Sequence, residues 1–310
     1  MSPRKIILDC DPGHDDAVAM LLAQGSPAID LLAVTTVGGN QTMEKVTYNA
    51  ARLASLYGIT APVAAGCPRP LVRVREGAPE IHGESGIDGV ELPEPVELDR
   101  RHAVDLIIDL IMEHEPGTVT LVPTGPLTNI ALAARKEPRI VERVAEVVLM
   151  GGSMGEGNWT AAAEFNIWID PEAAHIVFSE AWPVVMVGLD LTHQALYTKD
   201  VAARLENLHA PLGGFMKDLF AFFTKTHLDH FGMAEPPIHD PCAVAYCIDP
   251  TIVQTIRVPI DIELGGDLSV GRTIADTRFA ADEDCHTWAA TRLDAERFWD
   301  LIADAVVRLP

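Results

Sequence analysis

The sequence predicts an α/β protein with an open, mainly parallel central sheet and helices on both faces. Three observations predict it. Short β-branched, apolar runs alternate with stretches of helical spacing along most of the 310 residues. The runs are apolar at successive positions, as strands covered on both sides must be. Several of them end in acid or glycine where a helix begins, the place where such sheets bind ligands.

The elements follow in order. Lys5–Cys10 (KIILDC) reads as a buried strand, and Asp15–Gln24 as the helix after it. Asp30–Val37 (DLLAVTTV) is a second buried strand, closed by the turn Gly38-Gly39-Asn40. Thr42–Tyr57 is a helix and Val63–Ala65 a weak strand. Cys67–Glu97 holds five prolines and scattered glycines, too many for regular elements. A loop of that length in an α/β domain is usually functional. Alternation resumes with the helix His102–His114, the strand Thr118–Val122, the helix Leu127–Lys136 and the strand Glu146–Met150. Pro171–Glu180 begins as helices do, with proline at the first position after an Asp170 cap. Val184–Gly188 is a strand and Leu212–Phe231 one long helix. Ile252–Glu263, Ser269–Phe279 and His286–Leu293 read as extended, and Asp294–Arg308 as a closing helix. No repeat, low-complexity run or linker divides these elements, so one domain is expected over residues 1–310.

Composition narrows the function. Hydrophobic residues make up 48%, enough for a sizeable core without staples. A net charge of −22 argues against nucleic acid and anionic membranes as partners, and leaves small neutral substrates and divalent cations. No segment approaches the ~20 apolar residues of a membrane span. The N-terminal apolar run is too short for a signal peptide, so a cytoplasmic protein is expected. The five cysteines are odd in number and lack CxxC spacing, which suits free, buried thiols in a reducing compartment. Neither a GxGxxG nor a P-loop is present, so a dinucleotide or ATP site is not expected.

The chemistry concentrates at Asp9-Cys10-Asp11-Pro12-Gly13-His14-Asp15-Asp16, four carboxylates where a strand becomes a helix. Carboxylates converging in one crevice repel unless a cation neutralises them, and hard oxygen ligands suit Ca²⁺ or Mg²⁺. The spacing is not that of an EF-hand, whose glycine and final acid fall elsewhere. A metal-dependent phosphohydrolase of the DxD type, built on Asp9 and Asp11, is the alternative. Such enzymes carry Thr or Val where this chain has Gly13.

DCDPGHDDAVA at 9–19 resembles the N-terminal signature of the inosine–uridine-type nucleoside hydrolases. The likeness continues through VGGNQT (37–42), IHGESG (81–86), VPTGPLTN (122–129), VLMGGS (148–153), AEFNIWIDPEAA (163–174), GLDLTHQAL (188–196) and HDPCAVAY (239–246). The resemblance implies the nucleoside hydrolase fold with a Rossmann-like core, one Ca²⁺ per subunit, a homotetramer and hydrolysis of ribonucleosides for salvage. Matched residue by residue, it implies Asp11, Asp16, Asp240 and the Thr124 carbonyl as calcium ligands. It implies Asp15, Asn40, Glu164 and Asn166 on the ribose hydroxyls, with Asn158 and the Met150 main chain lining the sugar pocket. His239 stands beside the leaving base, as in the non-specific and pyrimidine-preferring branch. His82 is a candidate to close over the base. Phe223 and His227, one helical turn apart, are expected to face the base where relatives often carry Tyr or Gln, which leaves the base preference open. Phe165 fits pocket lining or core. His14 and His193 read as structural, and the five tryptophans as core or interface packing.

The reaction can be argued from its own chemistry. The C–N bond breaks through an oxocarbenium-like sugar attacked late by water. Ca²⁺ lowers the pKa of a bound water only modestly, so a carboxylate must take the proton, and Asp11 is the candidate base. An expelled base is a costly anion, and His239 is the candidate that protonates it.

Overall fold

The computed structural model describes residues 2–208 and 210–309. Strand Arg4–Cys10 (β1) places Ile6, Leu8 and Cys10 in one core layer and Ile7 in the other, so its unbroken apolar run is buried on both faces. The same alternation recurs along the chain. Helix His14–Gly25 (α1), strand Ile29–Thr36 (β2), helix Met43–Tyr57 (α2) and strand Val63–Ala65 (β3) come next. The proline-rich stretch contributes only the single turn Pro79–His82 (α3). Then follow Ala103–Glu113 (α4), Val119–Pro123 (β4), Thr128–Lys136 (α5), Val144–Met150 (β5), Phe165–Ile169 (α6), Pro171–Ser179 (α7) and Val184–Val187 (β6). Helices Leu189–Thr192 (α8), Lys199–Glu206 (α9), Gly213–Phe231 (α10) and Pro241–Ile248 (α11) precede strands Val253–Arg257 (β7), Ile260–Ile262 (β8), Thr273–Ala275 (β9) and Thr287–Leu293 (β10). Ala295–Arg308 (α12) closes the chain behind its Asp294 cap.

The main sheet has the order β3-β2-β1-β4-β5-β6-β10-β7, parallel throughout except for the edge pair β10–β7. Helices α1, α2, α10, α11 and α12 cover one face, and α4, α5 and α7 the other. The chain winds outward from β1 to β3 and then crosses back to β4 on the other side of β1. Strand order therefore reverses between β1 and β4, and the loops leaving their carboxyl ends must splay apart. Asp11 and Thr124 sit on those two loops.

Two extended stretches are shorter than their sequences suggest. Ile252–Glu263 breaks at Pro259, which has no N–H to continue a ladder. Its first part, β7, edges the main sheet, while β8 leaves to pair with β9. Ser269–Phe279 narrows to β9 alone. Helix α11 (PCAVAYCI) escapes a periodicity reading because nearly all of it is buried, so no polar face marks it. Among the described residues, no helix is long and apolar enough to cross a membrane.

Candidate active site

The β1–α1 turn brings the acids together. Asp11 Oδ2 accepts from the main-chain N–H of Asn40 at 2.7 Å, and Asn40 Nδ2 donates to the Asp11 carbonyl at 3.1 Å. Asp16 accepts from the Gly13 N–H at 3.0 Å and from Thr124 Oγ1 at 2.9 Å. Asp240 arrives at the start of α11, fixed there by Pro241. Carboxylate oxygens of Asp15, Asp16 and Asp240 lie within 4.8 Å of one another, all three buried. Glycine is required on both flanks of Asp11: a Cβ at Gly39 would lie 2.0 Å from its Oδ2, and one at Gly125 2.7 Å from its Oδ1.

These donors fit a hard divalent cation. Asp11 Oδ1 is buried without a hydrogen-bond partner, a costly state that a bound cation would relieve. Burial, then the neighbouring charges of Asp16 on Asp11 and of Asp15 on Asp240, push both carboxyls well above the usual range. Burial and the Asp16 charge push Asp15 up to about 7. The Thr124 carbonyl already accepts from Asn166 Nδ2 at 2.8 Å, but its second lone pair is available.

A pH-dependent stability follows. A carboxyl with a raised folded pKa contributes stability below its unfolded pKa, and that contribution is lost as pH rises through the folded value. In the cation-free protein the cluster therefore holds protons at neutral pH that a cation must displace. Cation affinity should rise by up to about tenfold per pH unit for each proton displaced, about 1.4 kcal/mol of added stability. Melting of chelator-treated protein with and without Ca²⁺ should show a larger Tm gain at pH 8 than at pH 6. A gain that shrinks with rising pH would contradict this account.

Asp9 does other work. Its Oδ1 accepts from Thr35 Oγ1 at 2.6 Å and from Asn129 Nδ2 at 2.8 Å, and the side chain is fully buried below the crevice. Asn129 also donates to the Thr36 carbonyl and accepts from the Cys67 N–H, so the group ties β1, β2 and α5 together. A DxD phosphohydrolase needs Asp9 free beside Asp11, and here Thr35 and Asn129 hold its Oδ1.

Beside the acids opens a cleft whose lining includes Asp15, Asn40, Thr124, Met150, Asn158, Glu164, Asn166 and Asp240. His82, Phe165, Phe223, His227 and His239 line it as well. Asp11 and Asp16 lie behind the wall rather than on it. Glu164 caps α6, with Oε1 accepting from the Asn166 N–H and Oε2 from the N–H groups of Gly152 and Ile167. Burial nevertheless pushes it up to about 7. Asn166 Nδ2 also reaches the Met150 carbonyl at 3.1 Å, and Asn158 Oδ1 accepts from the Phe165 N–H at 3.0 Å. These polar residues are thus braced against one another within the protein itself.

The family model for the inosine-uridine preferring nucleoside hydrolases matches residues 6–300. The chain belongs to this family. It is 59% identical over 310 residues to the inosine-uridine preferring nucleoside hydrolase of Crithidia fasciculata, covering 99% of this chain and 98% of that one. It is 44% identical over 307 residues to the pyrimidine-specific ribonucleoside hydrolase RihB of Escherichia coli, with the same coverage. Among solved structures, the purine-preferring ribonucleoside hydrolase from Gardnerella vaginalis superposes with a TM-score of 0.91 at 35% identity over 98% of each chain. Fold and activity class, hydrolysis of the N-glycosidic bond of ribonucleosides, agree with the sequence expectation.

Burial acts on the cleft histidines of this nucleoside hydrolase. It pushes His239 down to about 3 and His227 to about 4, and holds His82 well below the usual histidine value. Three contributors were not singled out by sequence. Trp159 lines the cleft rather than the core, edge-on to Phe165 at 5.0 Å. Its only sequence signal is its place directly after Asn158. Thr192 Oγ1 stands 2.8 Å from His239 Nδ1. His193, read as structural, lines an adjoining compartment with Asp190, its ring 5.8 Å from that of His239. Its position in GLDLTHQAL gives no hint of this.

Proposed function

We propose that this nucleoside hydrolase is calcium-dependent and cleaves uridine, cytidine and inosine to ribose and free base, with Asp11 as base and His239 assisting the leaving group. The observation carrying this reading is a single cleft lined both by the buried carboxylates of Asp15, Glu164 and Asp240 and by His82, His227 and His239. Asp11, Asp16, Asp240 and the Thr124 carbonyl would hold the cation. When bound, it supplies positive charge that orients sugar hydroxyls and water.

The side chains supply the rest. Asp11 Oδ1, the acceptor without a partner, takes the proton of the attacking water. Asp15, Asn40, Glu164 and Asn166 hold the ribose hydroxyls, and Asn158 and the Met150 main chain close the sugar pocket. Their carboxylate and amide oxygens favour the positive charge that develops on the ring. His82, Phe165, Phe223 and His227 surround the base. With Thr192 Oγ1 donating a hydrogen bond to its Nδ1 at 2.8 Å, a neutral His239 keeps its proton on Nε2 and offers that N–H to the departing base, whose anion it stabilises until water protonates it. The names of the Crithidia and Escherichia relatives support a substrate range that includes uridine. The acidic surface and free thiols support a cytoplasmic location. A homotetramer would cover some of Val72, Val74, Leu268 and Phe279, which one chain leaves exposed.

Steady-state assays on uridine, cytidine, inosine and adenosine at fixed calcium test the reading. Free base and ribose should appear without phosphate, and adenosine should be the poorest substrate. A phosphate requirement with ribose 1-phosphate as product would replace hydrolysis by phosphorolysis.

A further inference from the structure

The compartment beside the cleft shares Asn158, His227, Phe231 and His239 with it, so the two adjoin along those side chains. The rest of its described lining is of two kinds. Phe231 and Met233, at the end of α10, are 50% and 41% exposed, an apolar surface next to the buried Leu189 and Pro237. Glu156, from the loop after β5, and Asp190, from α8, supply carboxylates. No lysine or arginine is among the described lining residues, so neither acid meets a cation there.

Asp190 is held in place. Its Oδ2 accepts from the Met154 N–H at 2.7 Å, and its main-chain carbonyl from Gln194 Nε2 at 2.8 Å. His193 feels both acids, yet burial holds it below the ordinary histidine value, so it brings little positive charge above neutral pH.

We propose that this compartment is a subsite for a substituent on the nucleobase, and that it selects one with an apolar stem and a cationic tip. The proposal rests on the reading that the base lies against His227 and His239. A base held there has the compartment directly beyond those two rings, and an unsubstituted uracil leaves it to water. A chain of a few carbons reaches into it without touching the sugar. Its stem covers Phe231 and Met233, which removes apolar area from water. Its ammonium meets the carboxylates of Glu156 and Asp190 in charge-assisted hydrogen bonds. An anionic tip meets repulsion instead. The ligand class is therefore a ribonucleoside whose base carries an aminoalkyl chain. The tip is remote from the bond that breaks, so its contacts are the same in the ground state and the transition state. They lower KM and leave kcat as it is.

Two substrates place the chain on different edges of the base: 5-(3-aminopropyl)uridine and N4-(3-aminopropyl)cytidine. Each is compared with its N-acetyl derivative, which keeps the stem and loses the charge. In at least one pair the amine should show a KM about tenfold below that of the amide at low salt, the sum of two partly exposed ion pairs, with kcat within about twofold. Added salt should shrink the ratio. The double variant Glu156→Gln/Asp190→Asn should bring the ratio close to one. Glu115 and Glu142 precede β4 and β5, at the end of the sheet opposite the cleft, and Glu115→Gln/Glu142→Gln should keep it. A ratio that falls equally in both double variants would mean that the overall negative charge attracts the amine, and the subsite is overturned. Equal KM values in both pairs, or no cleavage of either amine while uridine is cleaved, overturn it as well. If uridine itself is not cleaved, the functional reading fails and the subsite with it.

Discussion

Asp11→Ala should lose turnover on every nucleoside, by about 10³-fold or more in kcat, because on the proposed reading one change removes both the proton acceptor and a cation ligand. The loss should be the same for uridine, inosine and p-nitrophenyl riboside, since water activation does not depend on the leaving group. Asp11→Asn separates the two roles. Its amide oxygen can still accept from the Asn40 N–H, which holds Asp11 Oδ2 at 2.7 Å. It cannot take a proton, so kcat should fall nearly as far while calcium still raises the Tm. Activity of Asp11→Asn within about tenfold of the wild type would remove Asp11 from the role of base.

His239→Ala should divide the substrates. Uridine and inosine, whose bases leave poorly as anions, should lose about 10²-fold in kcat or more. Turnover of p-nitrophenyl riboside, whose leaving group is stable without a proton, should change far less. Equal losses would exclude help to the leaving group. The pH profile carries a second expectation. A histidine with the ordinary value of 6.5 acting as an imidazolium would lose activity as pH rises through that value. Burial pushes His239 down to about 3, and a cation beside Asp240 would disfavour its charged form further. Its ring is neutral from pH 5 to 8, so no decline between pH 6 and 8 should trace to it. A falling limb near 6.5 that disappears in His239→Ala would show that bound substrate restores an ordinary imidazolium.

The acidic turn shows how far local pattern reaches. Asp9, Asp11, Asp15 and Asp16 look alike as letters, four acids in eight residues. Strand geometry and neighbours separate them. Thr35 and Asn129 claim Asp9 below the crevice, Asn40 turns Asp11, and Thr124 turns Asp16. The same holds for histidines. His82 and His239 carry recognisable motifs, but burial lowers both below the usual histidine value, and their hydrogen-bond partners are distant in the chain. Trp159 lines the cleft, and His193 the compartment beside it, only because loops from separate strands meet there.

By itself the sequence determined the class of fold, the order and approximate bounds of most strands and helices, and the motifs that name the family. These are written in short-range terms, such as apolar period, proline and aspartate at helix starts, and glycine at turns. Only the tertiary structure decided that β4 lies beside β1, so that their ends part to form the crevice. It likewise decided which acids face one another and which histidines line the cleft. Those are contacts between residues far apart in the chain, set by sheet order and by the demand of every buried polar group for a partner. No local spacing encodes them.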